Sequence, residues 1–149
     1  MRDRTPVQSV AMLVGIVFLL VGILGFIPGI TTNFDDITFA GNESGAELLG
    51  IFQVSILHNI VHGLFGIVGL FLARTMDGAR TYLVGGGAIY LALAIYGWIV
   101  ERTSDANFVP MNNADNVLHV LLGAGMILLG VVLGRGYVRD RVVTGEPRI

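Results

Sequence analysis

From Leu48 to Ala73 no residue carries a formal charge, and a stretch of that length leaves the backbone few options. In a bilayer it can satisfy its N–H and C=O groups only as a helix, because hydrocarbon offers them no partner. Inside the stretch stands His58-Asn59-Ile60-Val61-His62. A spacing of four puts His58 and His62 one turn apart on one helix face, with Asn59 beside them. Polar side chains at such a depth are costly, so they mark a helix–helix network or a functional site.

Three more apolar runs extend the same reading to the rest of the chain. Val10 to Ile27 has no charged or polar side chain and covers about 27 Å as a helix, close to the hydrocarbon thickness. Tyr82–Val100 and Val117–Gly134 are the other two, and the four membrane spans are expected near 7–27, 47–73, 80–100 and 114–134. With 54% hydrophobic and 13% charged residues in 149, and a mean hydropathy of +0.76, the chain is too apolar for a soluble domain. The expected fold is all-α, a single integral membrane four-helix bundle over residues 1–149. Zero cysteines exclude disulfides, thiolate metal sites and a cysteine nucleophile. No basic patch points to nucleic acid, so the partner is the lipid bilayer, with a homo-oligomer or a larger membrane complex as further options.

Local signals place the ends of the spans. Thr5-Pro6-Val7-Gln8 reads as a capping box with proline at the first helical position, and Ser44-Gly45-Ala46-Glu47 reads as a second box opening the next span. Phe34 to Phe39 is expected as a short strand or hairpin, and Asp77-Gly78 as a tight turn before the third span. Asn112 or Asn113 is the expected cap of the fourth, with Asp115 in its first turn. Tyr82 and Trp98 fit two interfacial aromatic belts. Arg135–Ile149 reads as a frayed basic tail. A cleaved signal peptide is the rival reading of the first run, but that run is longer than an h-region and Ile27-Pro28-Gly29 is no small-x-small site.

The arginines fix a sidedness. Arg2, Arg4, Arg74, Arg80, Arg135, Arg139, Arg141 and Arg148 fall on one side of the expected spans and Arg102 alone on the other. By the positive-inside rule both termini are cytoplasmic in a multi-pass plasma-membrane protein, the inner membrane of a bacterium.

A second copy of the central pattern follows. Asp115-Asn116-Val117-Leu118-His119 aligns with residues 58–62, and each copy reaches a glycine four residues past its histidine, Gly66 and Gly123. Gly25-Phe26-Ile27 similarly matches Gly97-Trp98-Ile99. Two helical hairpins related as a parallel repeat about the membrane normal would produce this. Ser55 falls outside the repeat as read here. Gly63, Gly66 and Gly69 form a ridge, and Gly130 with Gly134 a small-xxx-small pair, for close helix approach.

His58, Asn59, His62, Asp115, Asn116 and His119 are thus the candidate cluster. Three readings stand side by side. One is structural, with the polar groups bonding between helices in a non-enzymatic membrane component or accessory subunit. Another is a redox, haem or metal site using His58, His62, His119 and Asp115. The last is a proton, quinone or small-solute pathway through the imidazoles, which Tyr90 and Tyr96 could reach. No residue is assigned a catalytic role, and no cofactor is required.

The run from Leu48 through His62, then Asn107-Phe108-Val109-Pro110, Ala114-Asp115-Asn116 and Leu118-His119, resembles a family of small four-span bacterial membrane proteins, the domain of unknown function 4383. The resemblance implies the four-span fold and no established activity, substrate or cofactor.

Overall fold

The computed structural model describes residues 4–104 and 106–144, with side chains as far as Arg135. Arg2, Asp105, Arg148 and the end of the basic tail, 145–149, lie outside them. The elements are α1 (Pro6–Leu24), β1 (Thr31–Thr32), β2 (Glu47–Leu48), β3 (Phe52–Gln53), α2 (Ile56–Leu72), α3 (Met76–Ile99) and α4 (Asn113–Thr144). Four helices make an all-α bundle, as expected, and the strands add a small antiparallel sheet in the order β1-β2-β3. The two extensive pairings are α1 with α2 and α3 with α4, so the bundle is built from two hairpins.

The helices α1 and α3 and the stretch Asn113–Arg135 of α4 are each long and apolar enough to cross a membrane. Large apolar side chains such as Leu13, Leu20, Leu64, Phe71, Leu121 and Leu128 face outward, as the rim of a bundle in lipid requires. The chain is a membrane protein. Its second helix is the short one, with 17 residues, or about 26 Å.

That shortness is the main departure from the hydropathy reading, which started the second span at 47. Residues 47–53 instead form the β2–β3 hairpin, pairing Glu47 with Gln53 and Leu48 with Phe52. Its loop puts Leu49 and Gly50 at φ 57° and 67°, a left-handed conformation that ends any helix. Ser44 therefore caps nothing: its hydroxyl donates to the Val54 carbonyl at 2.5 Å and locks the hairpin base. Phe34–Asp36 is a 3₁₀ turn and not a strand.

At the opposite end Asp77-Gly78 is helical. Thr75 caps α3 by accepting from the Gly78 N–H at 3.1 Å, so the chain needs no separate turn after Arg74. The backbone of α4 stays helical through Thr144, past the point where apolarity ends, so Arg135 opens no frayed segment. Tyr82 is only 3% exposed and packs inward, while Trp98 at 57% faces out; only the tryptophan suits an interfacial belt.

The box predicted at Thr5 is present on its glutamine side, since Gln8 Oε1 accepts from the Thr5 N–H at 3.1 Å. Gln8 Nε2 also donates to the Ala73 and Arg74 carbonyls at 3.2 and 2.8 Å. One side chain thus starts α1 and satisfies the end of α2. Gln8→Ala should lower stability by about 1 kcal/mol, read as thermal unfolding in detergent, and a melt unchanged from wild type would show the latch to be idle.

Candidate functional site

The two central patterns occupy equivalent places in the two hairpins. Ser55 Oγ accepts the His58 N–H at 3.1 Å, and Asn112 Oδ1 accepts the Asp115 N–H at 3.0 Å. Each is the N-cap of its helix, so Ser55 belongs to the repeat after all. The correspondence runs down both partners: Gly15, Phe18 and Gly25 of the first hairpin match Gly87, Tyr90 and Gly97 of the second. A Cβ added at Gly66 would lie 2.7 Å from the Gly15 oxygen, and one at Gly123 would lie 2.8 Å from the Gly87 oxygen.

Asp115, at the outer end, braces one hairpin against the other. Asp115 Oδ2 accepts from the Asn112 N–H at 2.9 Å and from the Gln53 N–H at 3.1 Å, so it completes its own cap and anchors β3. The residue equivalent to Gln53 in the second hairpin is Pro110, which has no N–H to give. Only its carbonyl is on offer there, so the tie through Gln53 has no counterpart in the second hairpin.

Beneath the brace lies a stack of rings. His58 and His62 are parallel within 21° at 4.5 Å between centroids, and Phe18 covers His62 at 5.5 Å. His119 meets Tyr90 edge-on at 5.0 Å, and Phe18 touches Tyr90 at 5.1 Å where the hairpins meet. His58 and His119 stand 6.4 Å apart. His62 Nδ1 is 3.0 Å from the His58 carbonyl. Since a carbonyl only accepts, that nitrogen carries the hydrogen and Nε2 of the neutral ring keeps a lone pair.

Asn59 and Asn116 sit to the side, each against a helix end. A Cβ at Gly25 would collide with Asn59 Oδ1, and one at Gly97 with Asn116 Oδ1. Both carboxamides are buried, at 2% and 0% exposure, yet neither their nitrogens nor their oxygens have a hydrogen-bond partner among the described residues. The same holds for the Nδ1 atoms of His58 and His119. All six candidates are buried, but they do not form one closed hydrogen-bond network.

Among the described residues, no three His, Asp or Glu side chains are placed to hold a metal ion. The Nδ1 atoms of His58 and His119, together with the His62 Nε2 lone pair left by the bond at Nδ1, are the groups left to accept a proton or meet a ligand. Tyr96 points elsewhere, its hydroxyl donating to the Ala106 carbonyl. Sequence reasoning missed Phe18 and Phe65 as neighbours of the cluster. The match of Gly-x-x-Phe over residues 15–18 to Gly-x-x-Tyr over 87–90 held the signal for Phe18.

The family described as Domain of unknown function (DUF4383) matches residues 8–132. The chain belongs to this family. No curated protein and no solved structure matches it. The stretch matched to DUF4383 starts at Gln8, the latch between α1 and α2, and takes in the sheet, the Asp115 brace and every residue of the ring stack.

Proposed function

We propose that this DUF4383 protein is a non-enzymatic plasma-membrane component with a protonatable site inside the bundle, on a path for protons or a small polar solute. His58, His62 and His119 form its centre, with Tyr90 edge-on to His119. One observation carries the reading: the buried Nδ1 atoms of His58 and His119 have no hydrogen-bond partner among the described residues. A buried polar atom without a partner costs about 1–3 kcal/mol, which water, a proton or a polar solute entering the stack would offset. The arginine bias supports an orientation with both termini cytoplasmic, which sets the sheet and the cluster toward the outer face.

The structural reading keeps a share of the cluster. The backbone bonds of Asp115 support a bracing role for it.

Histidine-selective nitrogen-15 NMR in lipid vesicles, from about pH 4 to pH 9, tests the proposal. His62 is expected in the Nδ1–H form at neutral pH, with at least one imidazole changing protonation and exchanging with bulk water. His62→Gln and His119→Gln assign the signals. Three rings that keep one neutral tautomer throughout, closed to exchange, would leave the cluster purely structural.

A further inference from the structure

The ring stack has unequal cover at its two ends. His58 and Asp115 lie in the first turns of α2 and α4, and His62 one turn deeper. From His62 to the end of α2 the helix runs on for about 15 Å, and the buried residues packed beside that stretch are apolar or tyrosine: Val7, Ala11, Ala79, Tyr82, Leu83 and Met126. Phe65 forms the first layer. Its ring lies 4.9 Å from Phe18, 5.4 Å from Tyr90 and 4.9 Å from Tyr82. Gly86 of α3 leaves it room, because a Cβ there would meet the tip of Phe65 at 2.6 Å and the Met126 methyl at 2.9 Å. Below this layer the Tyr82 hydroxyl is again buried without a partner among the described residues. The Phe65 ring thus stands between the imidazole stack and the Tyr82 hydroxyl.

We propose that Phe65, closed against Phe18 and Met126, is the barrier that stops water and protons passing from the imidazole stack to the Tyr82 end of the bundle. This rests on the reading of the stack as a protonatable site. An apolar constriction blocks conduction by excluding water, and a ring held on three sides by other rings and seated on a glycine cannot swing aside without repacking the hairpin contact. Removing it opens the way from the imidazole stack to the Tyr82 hydroxyl.

The test uses the whole protein in liposomes loaded with a pH-sensitive dye, under an imposed pH gradient with potassium and valinomycin clamping the potential. Wild type should be about as tight as protein-free vesicles. Phe65→Ala should dissipate the gradient at least tenfold faster, and Met126→Ala, a smaller opening in the same layer, several-fold faster. Circular dichroism and a monodisperse elution profile establish which variants are folded. Adding His62→Gln and His119→Gln to Phe65→Ala tells the two ideas apart. A leak that falls with the histidines supports both, whereas a leak that persists supports the barrier and removes the imidazole path. Leaky wild-type vesicles, or folded variants that are all as tight as wild type, would overturn the barrier.

Discussion

Gly66→Leu should abolish recovery of the folded bundle, and Gly123→Leu should do the same. A Cβ at Gly66 would come within 2.5 Å of the Leu19 nitrogen and 2.7 Å of the Gly15 oxygen, and one at Gly123 within 2.8 Å of the Gly87 oxygen. At Gly66 both obstacles are main chain, and at Gly123 the nearest one is. Side chains can change rotamer to make room, but a helix backbone can only move as a body. Helix association in lipid depends on close van der Waals packing through small residues, so moving one helix away forfeits the whole pairing. The expected cost exceeds about 3 kcal/mol, beyond ordinary overpacking. Gly85→Leu is the control, since a Cβ there meets nothing within 4 Å. Thermal unfolding and elution in detergent give the comparison; if the Gly66 and Gly123 variants match the Gly85 control, the hairpin seams are not where the bundle is held.

The repeat explains why these two sites should behave alike and why much of the architecture is legible in the sequence. Periodic apolar runs and the paired Asn-x-x-His-x-x-x-Gly patterns locate the helices, the cluster and the seam glycines, because in lipid each follows from backbone satisfaction and helix spacing. Hydropathy cannot place the start of α2. Leu48, Leu49, Ile51 and Phe52 are as apolar as a helix interior, and it is the left-handed pair Leu49-Gly50 and the Ser55 cap that turn them into a hairpin. Asp77-Gly78 fails the other way, since a turn-like pair continues a helix once Thr75 caps it. Asp115 shows the limit for sites. Its spacing from His119 suits a ligand set, but the nearby N–H groups that engage its carboxylate come from Asn112 and from Gln53, which is remote in sequence. No local pattern reveals that second partner.

Asp115→Ala should be the most damaging single change within the cluster itself. The substitution removes the acceptor for two backbone N–H groups, those of Asn112 and Gln53, at a residue only 3% exposed. Loss of the reciprocal cap at the start of α4 accounts for about 1 kcal/mol. A Gln53 N–H left without its acceptor adds about 1–3 kcal/mol. The sum, about 2–4 kcal/mol, is large for one side chain because the bond ties the sheet of the first hairpin to the helix of the second. Asp115→Asn keeps a carbonyl oxygen and should recover more than half of the loss. Hydrogen exchange separates the two contributions: in Asp115→Ala the Gln53 amide should exchange faster while amides along the Gly66 and Gly123 seams keep their protection. Equal protection of Gln53 in wild type and variant would show that Asp115 does not hold the hairpins together.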